Sequence, residues 1–180
     1  LIAVAQAESG ASRGSMEPLL LRPIVEDAVE LYEPLAEEKG LTLVSVLEDD
    51  GSIRGHRQLL SQLVVNLLDN AVKYVPRGGQ IRVGVRGDGR QVVLEVADSG
   101  PGVPVAERGR ALERFGRIGS SETPGYGLGL SLVAAVARLH DATLDLADSG
   151  LTGPGQHASE SGTLGLKVTL RFPRSAAASV

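Results

Sequence analysis

Apolar residues recur along this chain with two distinct periods. Between His56 and Tyr74, the residues Leu60, Leu63, Val64, Leu67, Leu68 and Ala71 fall three and four apart, which gathers them on one face of a helix. Pro76-Arg77-Gly78-Gly79 ends that helix. A second helix opens at Pro23, carries Ile24, Ala28, Leu31, Tyr32 and Leu35 as its apolar side, and stops at Gly40. A third is predicted over Leu128–His140. Period-two alternation marks the strands. Ile81, Val83 and Val85 alternate with Arg82, Gly84 and Arg86, and Val92, Leu94 and Val96 alternate with Val93, Glu95 and Ala97. Gly87-Asp88-Gly89 joins these two as a hairpin. Leu41–Leu47, Ala142–Leu146 and Leu164–Phe172 are further strands; in the last, Leu164, Leu166, Val168, Leu170 and Phe172 share a side.

Strands with one apolar face need helices on that face only. The expected fold is therefore α/β: a two-layer sandwich, a mixed and mostly antiparallel sheet with about three helices on one face. Two stretches break the pattern. Pro104–Tyr126 has no clean period and exceeds an ordinary connection, so it is expected to be functional or mobile. Ser149–Gly162 is rich in Gly and Ser; a disordered excursion is its default reading. Leu1–Glu8 reads as the last turns of a preceding helix, and Ala11–Ser15 as a linker. The organisation expected is thus residues 1–22 as helix end and linker, 23–173 as the domain, and 174–180 as a disordered tail. A start at Leu1, with Met16 the only methionine, is expected of a fragment or processed product.

Composition narrows the classes. The chain has 180 residues, 42% hydrophobic and 22% charged, which suits one globular domain and excludes a collagen or a coiled-coil rod. With no cysteine there is no disulfide, thiolate metal site or cysteine nucleophile. No apolar run reaches the roughly 18 residues of a membrane span, and no signal peptide is visible. A net charge of −4 argues against a general nucleic-acid binder, so any polyanion must be held by a local site.

Three clusters carry candidate chemistry. Glycine is concentrated between Asp98 and Gly129, which hold 8 of the 23 glycines in 32 residues. Asp98-Ser99-Gly100-Pro101-Gly102 follows a strand; a carboxylate there can hydrogen-bond a ligand while the glycines let backbone approach it. An ordinary turn with a capping Asp fits equally well. Gly125-Tyr126-Gly127-Leu128-Gly129-Leu130 runs into a helix, whose bare N–H groups suit an anion; a flexible hinge would look the same. It is neither a P-loop nor a dinucleotide fingerprint. On the 56–74 helix, Asn66, Asn70 and Lys73 share a sector of about 60° beside the apolar face. Amide oxygens suit a hard cation such as Mg²⁺ and a lysine suits phosphate; two helix-to-loop amides and a snorkelling lysine are the plain alternative.

Taken together and in order, these clusters resemble the ATP-binding catalytic domain of two-component sensor histidine kinases, in the GHKL superfamily with its Bergerat fold. Asn66-Leu67-Leu68-Asp69-Asn70-Ala71-Val72-Lys73-Tyr74 is similar to the N box, Asp98–Gly102 to the G1 box, Arg114-Phe115-Gly116-Arg117 to the F box and Gly125–Leu130 to the G2 box. The resemblance covers about Pro23 to Pro173. It implies ATP and Mg²⁺ as cofactors. It implies that Asp98 accepts the adenine amino group, helped by Gly100 and Gly102, and that Asn70 is the protein ligand to Mg²⁺, with Asn66 nearby. Lys73 would touch phosphate and Tyr74 would lie against adenine. Gly125, Gly127, Leu128 and Gly129 would shape the triphosphate end, Pro104–Tyr126 would be the lid, and Phe115 would pack it down. Arg114 or Arg117 would reach the γ-phosphate. The catalytic set implied is Asn66, Lys73, Arg114 and Arg117.

The ATPase and serine-kinase branches of the superfamily resemble one another in a Glu four residues before the Mg²⁺-binding Asn. Here that position is Asn66, and an amide cannot take a proton near neutral pH. A neutral imidazole already has a lone pair ready to attack, so the resemblance implies a protein-histidine kinase. It implies as partners a separate dimerisation and phosphoacceptor helical domain and a downstream response regulator. It implies a cytoplasmic domain without contact to membrane or nucleic acid. His56, His140 and His157 do not fit the phosphoacceptor pattern and are expected at the surface or at helix ends. Gly116 stands where an aromatic is common and Pro124 where a Gly is common, so the lid is expected to behave differently. A nucleotide-binding regulatory module without catalysis, or a GHKL-type ATPase, are the alternatives.

Overall fold

The computed structural model describes residues 16–112, 126–153 and 164–175. In chain order the elements are β1 (Glu17–Leu20), α1 (Leu21–Glu38), β2 (Thr42–Leu47), β3 (Ser52–Gly55), α2 (Arg57–Tyr74), β4 (Gln80–Asp88), β5 (Gln91–Asp98), α3 (Val105–Leu112), α4 (Tyr126–Leu139), β6 (Thr143–Ala147) and β7 (Lys167–Pro173). Five strands form one sheet in the order β2-β4-β5-β7-β6, while β1 and β3 pair as a separate ribbon. The β2–β4 pair is parallel and the other three pairs are antiparallel. This is the α/β sandwich that the alternation predicts.

The core lies between sheet and helices. Ile81, Val83, Val85, Val92, Leu94, Val96, Val168, Leu170 and Phe172 join Leu60, Leu63, Val64, Leu67 and Leu68 of α2 in one buried cluster. Helix α2 packs between α1 and α4, and α3 packs on α4. Truncating one of the fully buried leucines, such as Leu63, to Ala removes about 2–5 kcal/mol.

Several expectations are corrected. Helix α1 begins at Leu21, two residues before Pro23, and Leu31 (60% exposed) and Leu35 (46%) lie outside its buried stripe. That stripe runs through Leu21, Ile24, Val25, Ala28, Val29, Tyr32 and Ala36, rotated toward Val25 and Val29. The ribbon of β1 and β3 was not foreseen, because each is only four residues long and shows no alternation. It carries the fold back to Met16, since Leu19 and Leu21 are buried, so residues 16–22 are not a linker. The hairpin turns at Gly89-Arg90, with Gly89 at φ +66, because Gly87 and Asp88 are paired with Val92 and Gln91. Val93 and Ala97 are buried although they point away from the helices. In register they sit between Arg86 and Arg171, and between Arg82 and Lys167, whose long aliphatic stems flank them.

The stretch read as an aperiodic lid contains a helix, α3, and α4 starts at Tyr126, two residues before Leu128. Strand β7 starts at Lys167, not Leu164. Arg174 and Ser175 are not a loose tail: Arg174 N–H donates to Arg90 O, its guanidinium pairs with Asp49 at 2.8 Å, and Ser175 N–H donates to Ser52 O. The readings of Leu1–Glu8, Ala11–Ser15, Arg114, Phe115, Arg117, Gly125, His157 and residues 176–180 fall outside the described residues.

Candidate functional site

Helix α2 is pinned at both ends by other elements. At its N-terminus the cap residue His56 offers no side-chain cap. Its N–H instead donates to Nε2 of His140, at 3.0 Å, while Nδ1–H of His140 donates to Val136 O at 2.7 Å. His140 is thus a helix-end residue but a buried one, edge-on to Phe172, and burial holds its pKa below the usual histidine value. At the C-terminus Nζ of Lys39 donates to Val72 O and Lys73 O, satisfying carbonyls that a helix end leaves open.

The polar ridge on α2 is resolved residue by residue. Asn66 is half-buried and its Nδ2 donates to Gln62 O of its own helix at 2.7 Å. Asn70 is half-buried too, and its Nδ2 is enclosed without a hydrogen-bond partner among the described residues. The reason it is enclosed is Gly129. A Cβ on Gly129 would sit 2.6 Å from Asn70 Nδ2, so the first turn of α4 rests on the amide, and any larger residue there would push that amide aside. Lys73 is exposed, with Nζ 5.4 Å from the centre of the Tyr74 ring. It lines the groove between α1 and α2 with Tyr32, Leu35 and Asp69, and no described contact joins it to Asn70, Asp98 or Gly129.

Asp98 ends β5. Its Oδ1 accepts N–H bonds from Gly100 at 2.7 Å and Leu166 at 3.3 Å, and both described bonds to the carboxylate use that one oxygen. The bond to Gly100 makes it the capping Asp of a local turn, so the plain reading of this residue holds as well. Burial pushes its pKa up to about 6, against the two backbone N–H groups, which favour the anion and hold it down. Gly100 allows the close approach: a Cβ there would lie 2.9 Å from Asp98 Oδ1, and 3.7 Å from the Tyr74 carbonyl carbon. Gly102 adopts φ +72, a left-handed conformation that favours glycine. Ser99 is fully buried and its Oγ accepts the Gln80 N–H at 2.8 Å, fixing the turn to β4.

The two glycine turns therefore meet the same short stretch of α2. The Asp98–Gly102 turn packs at Tyr74–Val75 and the start of α4 packs at Asn70. Four residues of helix separate these points, about 6 Å. Gly127 and Gly129 lie inside the first turn of α4, where N–H groups lack intrahelical acceptors. The arrangement offers a carboxylate acceptor at one end, a helix N-terminus at the other and an amide between. Sequence reading missed Ser149, Gly165 and Leu166, which surround Asp98 from across the sheet, because nothing in local spacing ties them to residue 98. Asn70 offers one neutral amide oxygen, which fits a hard cation that keeps its remaining positions for phosphate and water. The enclosed atom is the donor Nδ2, which cannot hold a cation, and no described hydrogen bond engages the amide oxygen, which is the atom that would.

Comparison with known proteins gives a consistent result. The family described as histidine kinase-, DNA gyrase B-, and HSP90-like ATPase matches residues 55–176. The adaptive-response sensory kinase SasA of Rippkaea orientalis is 37% identical over 125 residues, 68% of this chain and 32% of that protein. Sensor protein kinase PmrB of Pseudomonas aeruginosa is 31% identical over 156 residues, 86% of this chain and 32% of the relative. The chain spans about a third of the length of these curated relatives. Among solved structures, a mycobacterial sensor histidine kinase MprB superimposes with a TM-score of 0.71 at 26% identity, over 89% of this chain and 99% of that one. Full-length ShkA in complex with AMPPNP gives a TM-score of 0.71 at 28% identity, over 91% of this chain and 32% of that one. With more than half its length matched, the chain belongs to the family of histidine kinase-, DNA gyrase B- and HSP90-like ATPases.

Proposed function

We propose that this chain is the Mg-ATP-binding catalytic domain of a sensor histidine kinase, and that it delivers the γ-phosphoryl group to a histidine on a separate helical domain. The observation that carries the reading is the convergence of the Asp98 turn and the Gly129 turn on Asn70–Tyr74 of α2 and the Val75 that follows it. Asp98 accepts the adenine amino group on its carboxylate. The first turn of α4 faces the phosphates with its open N–H groups. Asn70 would hold Mg²⁺ through its amide oxygen, and the cation would neutralise charge on the β- and γ-phosphates when bound.

Asn66 lies beside the nucleotide, its Nδ2 tied to Gln62 O, and supplies no base. The incoming imidazole nitrogen forms a bond to the γ-phosphorus, the bond to the bridging oxygen breaks, ADP leaves, and the imidazole proton passes to water. Lys73 swings from the Tyr74 ring toward phosphate, and Tyr74 lies against adenine. The γ-phosphate is assigned to Arg114 or Arg117, the lid contact to Phe115, and the triphosphate end to Gly125, Gly127, Leu128 and Gly129. The domain spans residues 16–175, and its partners are the phosphoacceptor domain and a response regulator. The test is calorimetry with ATP and GTP, with and without Mg²⁺, followed by labelled ATP with and without an added phosphoacceptor domain. Mg²⁺-dependent preference for ATP, and label on the added domain alone, is the expected result. Absence of nucleotide binding, or strong labelling of this chain by itself, refutes the reading.

A further inference from the structure

We infer that Ser149, outside every glycine-rich turn of the site, is a positioning residue for adenine recognition that acts through Asp98; this rests on the reading of Asp98 above. The hydroxyl of Ser149 accepts the Leu151 N–H at 3.0 Å, which turns its own hydrogen toward two carbonyls, Asp98 O at 2.6 Å and Leu164 O at 3.1 Å. One side chain thus joins the end of β5, the turn after β6 and the run into β7. Leu164 O also accepts the N–H groups of Ser149 and Gly150, so this run is held at the same point by main chain. The next residue, Gly165, has φ +63, and a Cβ there would lie 1.9 Å from Asp98 O and 2.2 Å from Ser149 Oγ. Backbone meets backbone here, and the residue that follows, Leu166, is placed by that contact. Leu166 then grips Asp98 twice: its O accepts the Asp98 N–H at 2.8 Å, and its N–H donates to the Asp98 carboxylate at 3.3 Å.

The chain of placement runs from Ser149 to the Gly165 peptide, to Leu166 N–H, and so to the direction of the Asp98 carboxylate. The last bond is already long for an N–H to oxygen contact, so a shift of a few tenths of an ångström forfeits it. With only the Gly100 N–H then holding Oδ1, at 2.7 Å, losing the hydroxyl frees the carboxylate to pivot about that one bond, away from the exocyclic amine, without touching the phosphate end of the site. A merely structural serine would weaken every nucleotide alike.

The test compares ATP with purine riboside triphosphate, which lacks the 6-amino group, by calorimetry on the whole chain. Ser149→Ala is expected to weaken ATP binding roughly three- to tenfold while leaving the amine-free analogue unchanged. Ser149→Thr, which keeps a hydroxyl, is expected to restore ATP affinity. In an Asp98→Asn background Ser149→Ala is expected to cause no additional loss, because the group it acts through is gone. Should Ser149→Ala fail to fold, Ser149→Cys, close in size but a weak donor, carries the same comparison. Equal losses for both nucleotides, or no loss for either, overturn the inference while leaving Asp98 as the adenine reader. A parent chain that binds both nucleotides equally overturns the role of Asp98 itself, and this inference with it.

Discussion

Replacing Asp98 by Asn should make the empty protein more stable and a poorer binder of ATP. A carboxyl moved from 3.8 to about 6 by burial is harder to ionise in the fold by roughly 3 kcal/mol. Asparagine keeps an oxygen for the Gly100 and Leu166 N–H groups and removes the charge. Because the folded pKa is raised, the native state holds its proton longer than the unfolded chain. The stability linked to that proton is fully present below about pH 3.8 and is lost as pH rises through about 6. The variant should therefore gain nothing in strong acid and up to about 3 kcal/mol at pH 8, some 6–12 °C in Tm for a domain of this size. Urea unfolding of both proteins without nucleotide, at pH 4.5, 6 and 8, reads this directly. At pH 8 the same variant should bind ATP roughly 10- to 100-fold more weakly, since an amide donor meets an amine donor where a charged acceptor stood. A stability difference independent of pH, or a variant less stable than the parent at pH 8, would refute the reasoning.

Other consequences can be checked together. ATP affinity should fall as pH drops through about 6, where Asp98 takes up its proton; calorimetry with the amine-free analogue as control separates this from titration of the phosphates. Asn70→Ala should reduce Mg²⁺-dependent binding more than metal-free binding, and equal losses would make the residue structural only. Gly129→Ala places a methyl against Asn70 Nδ2, the end of a movable side chain, so it should turn the amide aside and weaken Mg²⁺-dependent binding while leaving urea unfolding within about 1 kcal/mol of the parent. Gly109→Ala, in α3 with nothing near its missing side chain, should stabilise by about 0.5–1 kcal/mol. For His140, whose pKa burial depresses, the sign is opposite to Asp98. Its contribution is present above about pH 6.5 and lost as pH falls through its lower folded value, so His140→Gln should flatten the acid limb of the stability profile.

What could be read before folding was what short-range periodicity encodes. The stripe Leu60–Ala71 and the alternation of Ile81–Val85 and Val92–Val96 named the central helix and central strands, because burial on one face writes a period into the chain. The ribbon Glu17–Leu20 with Ser52–Gly55 left no such trace, since four residues cannot establish a period and their pairing spans more than thirty positions. Leu31 and Leu35 misled because helical spacing gives a face and not what covers it. Within the site, Asp98, Asn70 and the glycines were visible through residue type and order. Ser149 and Leu166 were not, for they reach Asp98 only after β6 and β7 have joined the sheet.

The rod formed by Arg57–Tyr74 has a further consequence. It is clamped at the head by His140 and at the foot by Lys39, and both glycine bends lean on its lower half. The separation between the Asp98 turn and Asn70 is therefore ruled by the rise of a single helix, a length that hardly stretches. Surrounding loops can drift, lengthen or change composition without altering that gauge, whereas one residue inserted between Asn70 and Tyr74 would shift the Asp98 turn and the start of α4 against each other at once.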